Sequence, residues 1–422
     1  MKTKRTLAKQ SLFYAVANGV EAMVPFLLAP LLTRMLAPSE YGIWVLFVTY
    51  ATFLRPFIGL TVQDAIRMRF YDFDADQLDR FVRTAFFIMT SVMVTGAGLA
   101  YVFRDFLAVM TQFPAVWMVS IVVAAFLFEA FYTVLALHQF HGRRMMFLYT
   151  QVIQAILSLV FILAFLLSGW GWQGVILGRM ASLALSVMIS LGMLGYRPTG
   201  FLRLPERSFY RNIAGFGVLY VPSGMVIMAM AMIDKVAAAH FLGVAASALY
   251  GVAALFASAY WVVNNSFLLA WTPWLFRRLK TDEPGRLTEV LSVSGLYFVT
   301  ATLAAGAIYA LSIWVAPVLL GEAFHEAIPL TKYIMLAILL QGFFMHNMKF
   351  LHQEKAIVVM SVCSLLAIAM NLWLTILWAP EGGVRGIMLA TAVSFGATFI
   401  LSGILVLAHL AGSNNTGAKQ VV

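Results

Sequence analysis

Twelve stretches of mostly apolar residues recur along this chain, separated by short, often basic loops, and this pattern leaves few folds open. They run at about 10–33, 41–63, 84–103, 113–137, 146–168, 173–195, 212–233, 239–270, 289–318, 329–350, 356–378 and 385–410. One crossing of the hydrocarbon core takes roughly 20 apolar residues as a helix. A backbone inside lipid must satisfy its own hydrogen bonds, which leaves helices or closed barrels. The alternating apolar and polar residues of a membrane barrel are absent. The expected fold is therefore all-α and integral to the membrane: about twelve transmembrane helices in two six-helix bundles around a central cavity. Composition agrees. Only 11% of the residues are charged and 62% are hydrophobic, against about 25% charged in an ordinary soluble protein.

The formal net charge is +10, but its distribution argues for membrane topology rather than nucleic-acid binding. Basic residues gather in alternate loops, as the positive-inside rule requires. One side receives Lys2, Lys4, Arg5 and Lys9; Arg67, Arg69, Arg80 and Arg83; Arg143 and Arg144; Arg197, Arg203, Arg207 and Arg211; Arg277, Arg278, Lys280 and Arg286; Lys349, Lys355 and Lys419. The opposite loops hold Arg34, Arg104 and Arg385 as their clearest basic residues. Both termini are expected in the cytoplasm, and the basic loops are expected to meet anionic lipid headgroups. The basic start resembles a signal peptide. The apolar stretch behind it is long and carries Gln10, Asn18 and Glu21, so it reads as a retained first span.

The longest polar interruption near the middle, Tyr196 to Arg211, divides the spans six and six. Expected units are an amino-terminal bundle at 1–196, a cytoplasmic linker at 197–211, a carboxy-terminal bundle at 212–410 and a polar tail at 411–422. A weak internal repeat supports the division. Trp172-Gln173-Gly174-Val175-Ile176-Leu177-Gly178 opens the sixth span, and Val384-Arg385-Gly386-Ile387-Met388-Leu389-Ala390 opens the twelfth. The glycines serve close helix packing first. Two halves with substrate between them is a common transporter plan.

No enzyme motif stands out. The chain has no Gly-Lys dipeptide, which a phosphate-binding P-loop requires, and no HExxH or GxSxG. Its one cysteine, Cys363, allows neither an internal disulfide nor a Cys/His metal cluster. Asp72, Asp74 and Asp76 share a loop with arginines, where a charge-balanced surface is the simpler reading and a metal site the alternative. No cofactor is expected.

The functional argument rests on ionisable residues inside spans. A charge at mid-helix costs about 2.5–3.5 kcal/mol by insertion scales, so it survives by facing water or a partner. Glu21, Arg55, Glu129 and Arg179 lie well inside their spans; Asp64, Asp234, Lys235 and Lys332 lie nearer span ends. Helical spacing puts Asn18 and Pro25 with Glu21, Thr52 with Arg55, Tyr132 and Thr133 with Glu129, and Ser182, Ser186 and Ser190 with Arg179. In the second half Asn264 and Asn265 interrupt the eighth span, and Gln341, His346, Asn347 and Lys349 the tenth. Two readings stand side by side. In one, Glu21 and Glu129 pair with Arg55 and Arg179 to fix helix register. In the other, Arg55, Arg179 and Lys332 bind an anionic substrate group, and Glu21, Glu129 or Asp64 tunes the empty site or carries a proton. Guanidinium suits phosphate because its donors fork and its charge is permanent. Asn18, Tyr132, Asn264, Asn265 and Gln341 would supply polar lining.

The run from Pro25 to Gly42, ending Thr33-Arg34-Met35-Leu36-Ala37-Pro38-Ser39-Glu40-Tyr41-Gly42, resembles the opening pattern of the polysaccharide transporter (O-antigen flippase) family. That family belongs to the multidrug, oligosaccharidyl-lipid and polysaccharide exporter superfamily. Asp234-Lys235 with Phe241-Leu242-Gly243 and Leu249-Tyr250-Gly251, Trp271 to Phe276, Leu319 to Leu330, and Asn371 to Thr391 are similar to its later segments in the same order. The resemblance implies a bacterial inner-membrane flippase for a polyprenyl-pyrophosphate-linked oligosaccharide, working by alternating access. H+ or Na+ would be its coupling ion, and a polysaccharide polymerase with its chain-length system its assembly partner. The competing readings are an ion-coupled multidrug or organic-cation antiporter of the same superfamily, which would favour an acidic, aromatic pocket, and a non-transporting scaffold or polymerase. A polymerase would carry a large outward loop, and none is visible.

Overall fold

The computed structural model describes the backbone of residues 2–60, 62–63, 66, 73–196, 209, 229–230, 232–280, 285–353 and 356–417. Side chains at 2–12, 14–16, 18, 21–22, 75, 280, 357 and 409–417 are outside that description. The described elements are helical, and they form two compact units, Met1–Val236 and Ala237–Val422. The expected linker at 197–211, apart from Phe209, lies outside the described residues, as does most of the expected seventh span.

Unit 1 contains α1 (Lys2–Met35), α2 (Pro38–Gly59), α3 (Ala75–Val102), the short α4 (Arg104–Thr111), α5 (Met118–Phe140), α6 (Arg144–Leu167) and α7 (Gly171–Leu194). Local chemistry sets their ends. Pro38 opens α2 where a missing N–H costs nothing, and the Glu40 carboxylate accepts the Ala37 N–H at 3.0 Å. The Pro-Ser-Glu-Tyr-Gly turn is thus a helix start. Asp74 caps α3 by accepting the Gln77 N–H at 2.8 Å, and Gln77 returns a bond to the Asp74 N–H at 3.2 Å. Asp76 pairs with Arg80 at 2.8 Å and Asp79 with Arg83 at 2.7 Å, one turn apart. The aspartates at 74 and 76 therefore cap and pair along α3; Asp72 is outside the described residues.

α5 is the centre of unit 1. It packs against α2, α3, α6 and α7 and is the most buried span there. Its small side chains Ala124, Ala125, Ala130 and Ala136 are buried and let neighbouring backbones approach closely. α7 closes on α6 through glycine. A Cβ on Gly178 would lie 2.8 Å from the Ile162 backbone, and one on Gly174 2.9 Å from the Phe165 side chain.

Unit 2 contains α8 (Val244–Lys280), α9 (Arg286–Leu319), α10 (Thr331–Gln353) and α11 (Ile357–Gly417). α11 is two helices broken at Gly383, whose φ of 58° and ψ of −150° suit glycine. Here α10 is central, packing against α8, α9 and α11. In contrast, α9 presents Leu296, Val299, Leu303, Trp314 and Val318 outward. Such a face suits a helix that meets lipid.

Among the described residues nine helices are long and apolar enough to cross a membrane, with a shorter apolar segment at Met23–Met35. The Val358–Ala408 segment among the nine spans the Gly383 break and accounts for two expected crossings. The chain is a multi-pass α-helical membrane protein. The repeat has a physical cause as well. Gly386 stands at the second turn as Gly174 stands at the first, and a Cβ there would collide with the Trp378 carbonyl.

Candidate functional site

The ionisable residues of unit 1 gather on one turn of α5. Arg55, from the last turns of α2, makes an ion pair with Glu129 of α5, its Nε and Nη2 each 3.3 Å from Oε2. The Arg55 guanidinium also lies over the Tyr132 ring, 4.1 Å from its centroid. The second carboxylate oxygen of Glu129 accepts a 2.8 Å bond from the Gln63 side-chain amide. The carboxylate has little contact with water: the Glu129 side chain is 5% exposed and that of Arg55 16%. Gly59 makes the approach possible, since a Cβ there would overlap the Glu129 side chain.

Arg179 reaches the same turn from α7. Its guanidinium lies 5.2 Å from the Phe128 ring centroid, and Nη1 donates to the Ser158 hydroxyl of α6 at 2.8 Å. Tyr132 lies one turn from both Phe128 and Glu129 on the helical surface. Two guanidiniums on separate helices therefore rest against one turn of a third, and each has an aromatic face beside it.

The serine strip behind Arg179 faces α6. Ser182 bonds Ser158 at 3.1 Å, and Ser190 bonds both Thr150 at 3.0 Å and His138 at 2.7 Å. Gln154 joins the seam; with its amide oriented to suit its neighbours it accepts from Ser158, Ser182 and Arg179 and donates to Ser186. These hydroxyls are 0–1% exposed. The seam's hydroxyls bond one another and Gln154, and its Arg179 end reaches the charged turn of α5.

The expected carboxylate partner of Arg55 is thus Glu129. The side chains of Asn18 and Glu21, and the whole of Asp64, lie outside the described residues. Gln63 was missed by sequence reasoning. It follows the left-handed Leu60 (φ 44°) beyond the α2 terminus, where helix periodicity no longer predicts direction.

The remaining expected site residues belong to unit 2. Lys332 is exposed at the start of α10, with Nζ 4.9 Å from the Tyr333 ring; Arg385 lies 5.1 Å from the same ring. Asn264 is buried and accepts the Tyr297 hydroxyl at 2.7 Å, whereas Asn265 is exposed and Gln341 half-buried.

No protein-family model matches the chain, and no curated protein matches it. Solved structures do. An inward-facing multidrug resistance MATE family transporter of the MOP superfamily superimposes with a TM-score of 0.69 at 14% identity, covering 96% of each chain. The lipid II flippase MurJ, in an inward closed conformation, gives 0.71 at 12% identity, covering 95% of this chain and 87% of MurJ. A MATE structure in the straight conformation gives 0.61 at 13% identity, covering 98% and 97%. At these identities the likeness establishes the fold: this chain is built as MATE transporters and MurJ are built.

Proposed function

We propose that this protein is a flippase that carries a polyprenyl-pyrophosphate-linked oligosaccharide across the bacterial inner membrane, for surface-polysaccharide synthesis, by alternating access. The observation that carries this reading is the pair of guanidiniums, Arg55 and Arg179, placed against one turn of α5 within the membrane. A pyrophosphate entering hydrocarbon alone faces a prohibitive loss of hydration. Fixed positive charges in a hydrated space beside the α5 turn would replace that water, while the prenyl tail stays in lipid. Glu129 keeps Arg55 compensated until phosphate oxygens take its place; a carboxylate so released can carry a coupling proton. Lys332 would meet the anion at a membrane boundary, and Asn265 and Gln341 would offer polar groups to the glycan; Asn264 is buried and given to the Tyr297 hydroxyl. The MurJ likeness supports the reading, since that protein is described as a lipid II flippase.

The test is a flipping assay in proteoliposomes with a fluorescent prenyl-pyrophosphate-linked sugar. Arg55→Gln paired with Glu129→Gln removes both charges and leaves no lone buried ion. That double variant, and Arg179→Gln, should lose most activity; wild-type rates from both would end the proposal. A second reading is favoured by Glu129 beside the Tyr132 and Phe128 rings and by the MATE likeness: an ion-coupled antiporter for organic cations. Its mark is proton- or sodium-driven efflux of a fluorescent organic cation by the same liposomes.

A further inference from the structure

The two ends of unit 2 differ in what they offer a ligand. Toward the end that holds Arg277, Arg278 and Lys349, the His346 ring is stacked between Trp271 and Tyr297. At the opposite end α11 turns back on itself. Its two halves run side by side: the Asn371 side-chain amide donates to the Thr391 hydroxyl at 2.9 Å, and Gly386 lies against the Trp378 carbonyl. The turn between them, at Gly383, stands at the end of two crossings, where lipid headgroups meet the protein.

A cleft of about 400 Å³ opens at this turn. That volume is within the range of small-molecule sites. Leu377, Trp378 and Leu389 give it apolar walls, and Glu381 and Arg385 bring one charge of each sign. Glu381 and Arg385 are four residues apart, the spacing that pairs opposite charges on a continuous helix. The break at Gly383 takes them off that register. Neither forms an ion pair with the other or with any other described residue.

Arg385 is nevertheless held in place. Its guanidinium lies 5.1 Å from the Tyr333 ring centroid, and the Lys332 ammonium lies 4.9 Å from the same centroid. Two cations on one ring, with no carboxylate bonded to either, make that side of the turn positive. Glu322 and Glu326, in the short turn ahead of α10, are exposed and do not line the cleft. The cleft therefore presents a fixed cation and a separate carboxylate beside an indole. Tryptophan is itself favoured at the boundary between hydrocarbon and water. Outside the cleft, Trp373, Ile376 and Leu377 are exposed along the same half of α11, where acyl chains can lie.

We propose that this cleft binds the headgroup of an aminophospholipid, its phosphodiester on Arg385 and its primary ammonium on Glu381. Guanidinium donors fork onto phosphate oxygens, and the ammonium donates hydrogen bonds to the carboxylate. A phosphatidylglycerol headgroup has no ammonium, and Glu381 repels it. A phosphatidylcholine headgroup has no N–H to donate. The inference stands apart from the identity of the molecule carried.

The experiment places the full chain in nanodiscs of phosphatidylethanolamine, phosphatidylglycerol and phosphatidylcholine in equal parts, and counts retained lipids by native mass spectrometry. Wild type should retain phosphatidylethanolamine over each of the others by about threefold to fivefold, the scale of one exposed charge pair. Glu381→Gln should bring that preference over phosphatidylglycerol close to one, and Arg385→Gln should lower retention of both. Independently, the part of the tryptophan emission lost in Trp378→Phe should be quenched more by phosphatidylethanolamine with brominated acyl chains than by brominated phosphatidylglycerol. Equal retention of the three lipids by wild type, preference for phosphatidylglycerol, equal quenching, or a preference unchanged in Glu381→Gln overturns the proposal. Both wild-type readings stand even if a variant does not fold.

Discussion

Replacing Arg55 with methionine keeps most of the aliphatic volume and strips Glu129 of its counter-charge. At 3.3 Å and an effective dielectric constant of about 20, the gross attraction is 332/(20 × 3.3), about 5 kcal/mol. Desolvation of both ions offsets much of that, so the net worth of the pair is far smaller. The single variant does not test the net worth. It tests the cost of a buried carboxylate that has lost its guanidinium partner, which runs to about 3–5 kcal/mol. Glu129→Gln alone leaves the Gln63 bond intact but strands a guanidinium that is 16% exposed, and should cost less than Arg55→Met. The double variant has no stranded charge and should recover about 2–3 kcal/mol of the summed loss, the coupling energy of groups in contact. Unfolding free energies measured in bicelles by steric trapping would supply the four corners of the cycle. Additivity within about 0.5 kcal/mol would show that the two charges do not act on one another, and the description of the α5 turn as a compensated anion site would fail.

Gly59→Ala pushes a methyl group into the Glu129 side chain and should destabilise unit 1 by about 1–3 kcal/mol; in Glu129→Ala, where the obstruction is gone, the same substitution should cost much less. Gly178→Val meets the Ile162 backbone and should separate α6 from α7, seen as faster amide exchange along both helices. Tyr196, beyond the end of α7, has its phenol pushed up to about 12 by burial and by Asp79, with Arg83 opposing. Its folded value lies above the ordinary 10, so its stabilising share is complete below pH 10 and is lost as pH rises toward 12; Tyr196→Phe should flatten the stability profile in that window. Met145 is exposed beside Arg143 and Arg144. Met145→Cys in a Cys363→Ala background should react with an impermeant maleimide only from the cytoplasmic face if the basic loops lie there, and labelling from outside would reverse the topology expected from them.

The spans were legible because lipid imposes a length and a composition on every crossing, and Pro38, Asp74 and the glycines of the repeat mark turns by local rules. Helix spacing also showed that Glu129 and Tyr132 share a face, and that Arg179 heads a serine strip. What spacing cannot show is what a face meets. The strip from Ser182 to Ser190 has the same pattern whether it lines water or, as found, bonds with Thr150, Gln154 and Ser158. Gln63 escaped because it follows a left-handed residue. The stack around His346 escaped because Trp271, Tyr297 and Phe298 lie on different helices, and aromatic residues are common throughout a chain with 34 phenylalanines and 10 tryptophans.

The internal repeat relates two of the buried titratable groups. Glu129 belongs to the fourth expected crossing and His346 to the tenth, the fourth of its own half. Those two helices, α5 and α10, are the most buried span of their units and the centre of each unit's packing. A central helix touches most of its neighbours, so a change of charge on it is felt by several packing interfaces at once. The same change on an outer helix such as α9 would be screened by lipid headgroups or water. The chemistries differ: Glu129 is held by a guanidinium and an amide, His346 by aromatic faces with no carboxylate among them. Charge in unit 1 is therefore met by a fixed partner, whereas the aromatic stack in unit 2 carries no fixed charge. If the proposed anion displaces Glu129, Glu129→Gln should change the dependence of flipping on the anionic substrate, and His346→Phe, which keeps the stack, should leave that dependence at wild type. An equal change in both variants would show that the α5 turn is not where the anion acts.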